Sequence, residues 1–305
     1  MRIAVQILYL LFSTLTCFGQ KSHFLKTQDG VLYYETIGDG KPILIINGGP
    51  GFSSEGFKDI ATELSSLGYK SILFDQRGTG KSTLKKIDTS TISMRQMALD
   101  IESIRKDLGI DKWILFGHSF GGMLANYYTS IYPEKVLAMI HSSSGGLDLH
   151  LLENAQENLY ARLTNQEIDS LQFWRTKMLN QNNYSNRFKY NSVLASAYVY
   201  DKKHIPTVAN RLMQGNTELN RMVWNDMRAI NFDCKNRLKS FDKPVLILQG
   251  KQDILPDIIA YRTNSVFSKS TIFFIDKCGH YGWLDQRKIY LEKISIFLKS
   301  LDIKQ

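Results

Sequence analysis

The chain lacks the side-chain spacings that commonly hold metal ions. Its six histidines and three cysteines form no His-x-x-x-His or Cys-x-x-Cys pattern, in which neighbouring ligands share one ion. A nucleotide-binding loop is also missing, because segment 78–82 (GTGKS) has no upstream glycine at the interval of a phosphate loop. The sequence therefore predicts neither a metal site nor a cofactor.

Blocks of charge are missing as well. The 305 residues include 38 Lys and Arg against 29 Asp and Glu, a formal net charge of +9, but no five like charges follow one another. Scattered basic residues are typical of a solvated surface, whereas nucleic-acid-binding proteins gather them on one face. We expect no nucleic-acid partner. With 43% hydrophobic residues the chain can bury a core, and its oligomeric state stays open.

An apolar stretch lies at the N-terminus, over residues 3–11, after the positive charge of Arg2. Together with the small residues that precede Gln20, it is typical of a secretory signal peptide. The stretch is too short, and too interrupted by Ser and Thr, to span a bilayer comfortably. We predict a signal peptide over 1–19 and an exported chain without stable membrane insertion; the alternatives are a lipoprotein attached through Cys17, then an uncleaved anchor.

Two cysteines, Cys234 and Cys278, remain after such a cleavage. Export permits a disulfide between them, but they lie far apart in sequence. We expect Cys278 to be a small buried filler, and whether the two pair stays open.

The most informative positive feature is the stretch 117–122 (GHSFGG). It follows the apolar run 113–116 (WILF) and precedes a helix-like segment. Strand, Gly-x-Ser-x-Gly and helix are the context of a nucleophile elbow, a sharp turn that requires small residues beside the serine. We predict that Ser119 is a nucleophile and that the Phe120 N–H, at a helix N-terminus, is one donor of an oxyanion hole.

A serine nucleophile needs a base, and the base needs an orienting carboxylate. Asp253 follows the apolar run 244–249 (PVLILQ), and His280 follows the run 271–275 (TIFFI). Both residues therefore come just after predicted strands, where parallel sheets collect their active sites. The order Ser, Asp, His is that of the hydrolase fold with this elbow, so we predict a Ser119–His280–Asp253 triad.

A glycine-rich loop, 47–51 (NGGPG), follows the short apolar strand 43–46. Such a loop can direct a backbone N–H at a developing oxyanion. We assign that donor to Gly49, with Gly48 as the close alternative.

Apolar strands and amphipathic helices alternate as far as residue 147, which predicts an α/β fold with a mostly parallel central sheet and helices on both faces. A turn at 38–40 is expected to join the strands 31–36 and 43–46 in a hairpin. Between residues 148 and 237 strand-like runs disappear. We predict a helical cap over 148–237, inserted between the sixth and seventh strands of a core formed by 20–147 and 238–305.

Four motifs carry a resemblance to a known family. Together they resemble the proline iminopeptidase branch of the α/β-hydrolases, over residues 24–147 and 238–300. The motifs are 47–51 (NGGPG), 75–82 (DQRGTGKS), 117–122 (GHSFGG) and 279–285 (GHYGWLD). The resemblance implies an α/β-hydrolase fold with an inserted cap and the same three catalytic residues. From the residues themselves, we expect 75–82 to form a hydrogen-bonded turn that supports the glycine-rich loop.

The sequence departs from that family in two places. Asn47 stands where the family has histidine, and the local patterns that would place the family's amine-binding carboxylates in the cap are absent. We assign substrate binding to Gly48, Trp224 and Glu218. The aromatic candidates for the inner wall of the cap are Tyr160, Phe173, Trp174, Tyr184, Tyr198 and Tyr200. The other cap glutamates that could bind a substrate amine are Glu153, Glu157 and Glu167.

The chain is thus predicted to be a serine hydrolase that works through an acyl-enzyme on a small molecule or short peptide. The resemblance favours an aminopeptidase that releases N-terminal proline or other small residues. An esterase, lactonase or amidase with the same triad is the alternative. A catalytically idle binding protein is disfavoured because binding alone does not need the whole set of catalytic residues.

Overall fold

The computed structural model describes residues 19–302, and the predicted signal peptide lies, except for its last residue, outside them. Within the described residues the chain forms a nine-stranded sheet flanked by helices. The strands are β1 (Gln20–Lys26), β2 (Gly30–Ile37), β3 (Lys41–Ile46), β4 (Tyr69–Phe74), β5 (Thr83–Leu84), β6 (Trp113–His118), β7 (Val136–Ser142), β8 (Val245–Gly250) and β9 (Ser270–Ile275).

Twelve α-helices lie in the same described part of the chain. They are α1 (Lys58–Ser66), α2 (Met94–Asp107), α3 (Phe120–Ile131), α4 (Ala155–Tyr160), α5 (Asn165–Asn180), α6 (Tyr184–Tyr198), α7 (Ile205–Met213), α8 (Thr217–Ala229), α9 (Lys235–Leu238), α10 (Asp257–Val266), α11 (Gly282–Asp285) and α12 (Arg287–Asp302). No described helix is both long and apolar enough to cross a bilayer.

The strand order is β1-β2-β4-β3-β6-β7-β8-β9, with the short β5 paired to β2. The strands from β4 to β9 along this order run parallel, whereas β2 runs antiparallel to both β1 and β4. The parallel part sends the carboxyl ends of β3, β6, β8 and β9 to one edge. All the predicted catalytic residues follow these ends, as expected for an open α/β sheet.

The predicted hairpin across residues 38–40 is wrong. β2 and β3 are not paired, because β4 lies between them and bonds to both. The turn instead carries the chain past the position of β4. A short glycine turn between two apolar runs is compatible both with a hairpin and with two strands that are separated by a third. The local sequence does not distinguish the two, because the separating strand β4 comes later in the chain.

The central strands are apolar on both faces because both faces are covered. Ile43 and Ile45 pack with α1 and α12, while Leu44 and Ile46 pack on the opposite side with α2 and α3. This alternation explains the continuous apolar runs of the sequence. Cys234 and Cys278 are buried free thiols in these two separate clusters.

The helical segment follows the seventh strand rather than the sixth, where it was predicted, because the short β5 adds a strand early in the chain. Between β7 and β8 the described chain has helices α4 to α9 and no strand, only an isolated bridge between Asp148 and Asp233. We call residues 148–237 the helical insertion. Three of its helices, α5, α6 and α8, begin at polar side chains that satisfy free N–H groups, as in the capping box of Thr164 and Glu167 on α5. The domain boundaries stay a prediction; α9 crosses the one at residue 237.

The two ends of the insertion are joined at its base. The Cys234 N–H donates to the Leu147 carbonyl at 2.9 Å. The Asp148 carboxylate binds Lys235 and accepts a hydrogen bond from Arg262 at 2.7 Å. Burial raises the pKa of Asp148, but the hydrogen bonds from these two cations outweigh burial, and the pKa falls to about 2.

Asp148→Asn tests this ion cluster through the pH dependence of stability. In the unfolded chain an aspartate has a pKa of about 3.9, and the pKa of Asp148 in the folded protein is lower. The ion cluster therefore stabilises the fold above pH 4, and this stabilisation disappears as the pH falls towards 2. We expect Asp148→Asn to lower the free energy of unfolding by about 2 kcal/mol at pH 7 and by clearly less at pH 3.

Urea unfolding at both pH values measures the effect, with Asp169→Asn, an exposed position on α5, as the matched control. A loss that is equal at pH 7 and pH 3 would contradict the assignment.

Candidate active site

Ser119 lies at the turn between β6 and α3 with a backbone φ of 54° and ψ of −123°. A non-glycine residue at such a positive φ is strained by about 1–3 kcal/mol and persists only when its surroundings hold it. Three hydrogen bonds do so here. The Ser119 N–H donates to Ser142 O at 3.1 Å, and its carbonyl accepts from the N–H groups of Gly122 and Gly145, each at 3.0 Å.

The glycines around Ser119 are required by close approach. A Cβ built on Gly121 would lie 2.0 Å from the Ile46 carbonyl oxygen, and one on Gly117 would lie 2.6 Å from the Gly122 Cα. These contacts are between backbone atoms, so no side-chain movement relieves them. The start of α3 is thereby pressed against the end of β3.

His280 and Asp253 meet behind this turn. The His280 Nδ1 lies 2.7 Å from Asp253 Oδ1, with both side chains almost fully buried. Asp253 also accepts from the Leu255 N–H at 3.1 Å and from Gln249 Nε2 at 3.0 Å. A carboxylate on Nδ1 holds the proton there and leaves the His280 Nε2 lone pair free. The backbone N–H of His280 donates to the Tyr198 carbonyl at 2.7 Å, which fixes the backbone at this position.

Ser119 and His280 line one cavity, whose empty space including its mouth is about 370 Å³. Asp253 lies behind the imidazole and does not line it. The cavity is formed by the core and the helical insertion together. Its lining residues are Gly48, Gly49, Phe52, His118, Ser119, Tyr198, Arg211, Leu212, His280 and Tyr281.

The glycine-rich loop 47–51 forms one wall of this cavity. A Cβ on Gly48 would lie 3.0 Å from the Ser119 Cβ, which places the loop directly beside the serine. Asn47 shapes the loop, because its Nδ2 donates to the carbonyls of Gly48 at 2.9 Å and Phe52 at 3.0 Å. Gly48 and Gly49 both reach the cavity, so the choice of donor between them stays a prediction.

The turn 75–82 supports the glycine-rich loop as predicted. The Gln76 Nε2 donates to the Asn47 carbonyl at 2.9 Å. Asp75 accepts from the N–H and the hydroxyl of Ser54, both at 2.8 Å, and from the Lys81 N–H at 2.8 Å. These bonds fix the chain on both sides of the loop.

His118 is a second histidine in the cavity, with its ring centroid 4.6 Å from that of His280. Burial above all, and then the neighbouring His280 and Arg211, hold the pKa of His118 well below its usual value. Its Nδ1 lies 3.3 Å from the Ser142 hydroxyl, and its buried Nε2 has no hydrogen-bond partner in the described chain. His118 is therefore a neutral wall residue at physiological pH.

The structure does not bring Glu218 or Trp224 into the cavity. Glu218 is exposed at the beginning of α8, where its N–H bonds to Asn216. The Trp224 ring packs edge-on against Phe120, with centroids 6.0 Å apart. Of the other cap candidates only Tyr198 lines the cavity; Phe173, Tyr184 and Tyr200, for example, are exposed.

Arg211 is the charged cavity residue that sequence reasoning missed, and Phe52 and Leu212 were missed as well. Arg211 lies on α7, whose Ile205, Val208, Ala209 and Leu212 form an apolar stripe at helical spacing. Arg211 follows Val208 by three residues and so lies on the same buried face. A lone charge within an apolar stripe was the available signal.

Asn47→Ala tests the scaffold of the glycine-rich loop. The substitution removes the donor from two carbonyls in a buried setting, so we expect it to lower the free energy of unfolding by about 1–3 kcal/mol. Urea unfolding measures this, and Asn180→Ala, at the exposed end of α5, is expected to change stability by less than about 0.5 kcal/mol. Equal stability of the two variants would show that Asn47 does not support the loop.

Comparison with known proteins places this geometry in context. The proline iminopeptidase of Lactobacillus helveticus (strain DPC 4571) is 23% identical over 282 residues, which cover 88% of this chain and 95% of the relative. The crystal structure of proline iminopeptidase from Mycobacterium smegmatis superposes with a TM-score of 0.72 at 19% identity, covering 93% of this chain and 99% of the other.

An esterase from Exiguobacterium antarcticum has a similar structure, with a TM-score of 0.67 at 18% identity and coverage of 88% of this chain and 96% of the other. These two solved structures share with this chain the α/β-hydrolase fold that the sequence predicts. A family model described as the alpha/beta hydrolase fold matches residues 41–286, most of the chain. The chain belongs to the α/β-hydrolase fold family.

Proposed function

We propose that this hydrolase is a serine hydrolase in which Ser119 is the nucleophile, His280 the general base and Asp253 the orienting carboxylate. The observation that supports this most directly is the 2.7 Å contact between His280 Nδ1 and Asp253 Oδ1 behind a cavity that Ser119 and His280 share. The strained backbone of Ser119 supports it further, because strain of this kind is characteristic of functional sites.

In the proposed reaction the Ser119 oxygen attacks the substrate carbonyl while His280 Nε2 takes the hydroxyl proton. Asp253 stabilises the resulting imidazolium. The N–H groups of Gly49 and Phe120 receive the oxyanion. His280 then gives the proton to the leaving group as the acyl–leaving group bond breaks. Water, activated by the same imidazole, releases the acyl group and restores the Ser119 hydroxyl.

We further propose that the helical insertion acts as a cap. It supplies Tyr198, Arg211 and Leu212 to the cavity, and it binds the glycine-rich loop through the Asn216 N–H on Gly51 O at 2.9 Å and Asn220 Nδ2 on Pro50 O at 3.0 Å. A cap in this position excludes bulk water from the serine and shapes the substrate pocket.

Two substrate classes follow. The first is a peptide with N-terminal proline or another small residue, supported by the motifs and by relatives called proline iminopeptidases. The second is a small-molecule ester, lactone or amide. One observation favours the second: the described residues that line the cavity include no carboxylate, and Arg211 is the permanent charge among them. A free substrate amine therefore has no counter-ion there.

A substrate panel distinguishes the two classes. Prolyl and alanyl 4-nitroanilides, each with a free and an N-acetylated amine, are compared with 4-nitrophenyl butyrate. We expect ester hydrolysis, and no loss of arylamide turnover when the amine is acetylated. Loss of arylamide turnover on acetylation would instead identify an aminopeptidase. In either case Ser119→Ala should reduce turnover by at least about a thousandfold, and wild-type rates in that variant would exclude the proposed nucleophile.

A further inference from the structure

The cavity contains a buried cation, Arg211, that makes no ion pair with a carboxylate in the described part of the chain. Arg211 is 7% exposed and lines the cavity together with Ser119. Its Nη1 donates to the Ser53 carbonyl at 2.7 Å and to Gln214 Oε1 at 3.3 Å, and its Nη2 to the Gly48 carbonyl at 3.4 Å. These partners are neutral. The guanidinium carbon also lies 5.0 Å from the centroid of the Phe57 ring.

The other two buried arginines show what this chain does with such a charge elsewhere. Arg77 makes a two-point contact with Asp100, at 2.7 and 2.6 Å. Arg105 makes one with Glu102, at 2.9 and 2.6 Å. Arg211 forms no ion pair with any residue in the described part of the chain. A buried charge without a counter-ion is costly, so its retention beside the reacting serine indicates that a ligand supplies the negative charge.

The carboxylate of Asp75 attracts the Arg211 guanidinium without forming an ion pair with it and does not line the cavity. No described lining residue carries a negative charge. His118 is neutral, and the hydroxyl groups of Tyr198 and Tyr281 carry no charge because burial raises the pKa of each tyrosine. Burial also lowers the pKa of Arg211, but arginine stays protonated in proteins. The cavity therefore presents positive charge, which attracts an anion and repels an ammonium group.

The position of Arg211 connects this charge to the reaction. Its Nη2 contacts the carbonyl of Gly48, and a Cβ built on Gly48 would lie 3.0 Å from the Ser119 Cβ. Arg211 and Ser119 therefore both lie beside Gly48 and line the same cavity. Planar guanidinium donors match the two oxygens of a carboxylate.

We propose that the substrate carries a carboxylate, which Arg211 binds in the cavity while Ser119 attacks the scissile carbonyl. This inference rests on the proposed serine-hydrolase function and specifies its substrate class. The carboxylate can belong to the acyl part of a small ester or to the C-terminus of a dipeptide, and substrate pairs separate these sources.

The test uses two pairs in which one member carries the carboxylate and the other carries a neutral methyl ester or amide in its place. Mono(4-nitrophenyl) adipate is compared with 4-nitrophenyl methyl adipate, and N-acetylprolylglycine with N-acetylprolylglycinamide, since blocking the amine removes the ammonium group that the cavity repels. We expect the wild-type protein to prefer the carboxylate member of at least one pair by tenfold or more in kcat/KM. The pair that responds identifies the source. No preference in either pair would overturn the proposal.

Arg211→Met and Arg211→Lys separate recognition from support of the loop. If Arg211 binds the carboxylate, Arg211→Met removes the preference mainly through KM, and Arg211→Lys restores part of it. If Arg211 only holds Gly48 and Ser53, both members of a pair lose kcat equally, which contradicts the proposal. Arg221→Met, at an exposed position on α8, is the matched control and should keep the wild-type preference.

The outcome is separable from that of the proposed function. Absence of ester hydrolysis together with absence of fluorophosphonate labelling at Ser119 would refute the serine-hydrolase mechanism itself. Hydrolysis or labelling without a carboxylate preference would refute only the substrate class. The wild-type comparison needs no variant, so it decides the proposal even if Arg211→Met fails to fold.

Discussion

The site depends on the close approach of α3 to the carboxyl end of β3. Because Gly121 has no Cβ, the backbone of the helix start lies against the Ile46 carbonyl, and this contact forces the sharp turn at Ser119. The same approach brings the glycine-rich loop beside the serine. A side chain at Gly121 would separate nucleophile, helix N-terminus and loop at once, so three parts of the proposed chemistry share one steric requirement.

A second level of the structure is electrostatic. On the core side, Asp253 receives three hydrogen bonds and holds the imidazole of His280 from behind. On the side of the helical insertion, Arg211 brings to the cavity a positive charge that forms no ion pair with any described residue. In the proposed reaction the core supplies groups that any ester or amide needs, whereas the insertion supplies the charge that we propose for substrate selection. The relatives share the fold, but a chain 23% identical to an iminopeptidase can keep the first set and change the second.

The parts that sequence reasoning could predict are those with a local signature. Ser119, Asp253 and His280 each follow an apolar run, and short-range patterns place them at one edge of a parallel sheet. The turn 75–82 was predictable for the same reason. The pairing of β2 was not, because β4 enters between β2 and β3 from later in the chain.

Contacts of the helical insertion were also beyond local patterns. Arg211 bonds to Ser53, 158 positions away in the sequence, and Trp224 contacts Phe120 rather than the cavity. Such placements depend on how α7 and α8 cross the core. Helical periodicity predicts which face of a helix is buried, but it does not predict which core residues that face contacts. A charged residue on that face is the feature to search for in similar chains.

The most direct measurement of the central claim is the site of covalent modification by a fluorophosphonate, determined by intact mass and peptide mapping at neutral pH. An activated serine predicts one adduct per chain, on Ser119, and its formation should be strongly slowed in His280→Gln. An adduct on another residue, or a labelling rate at Ser119 that does not change in His280→Gln, would contradict the account.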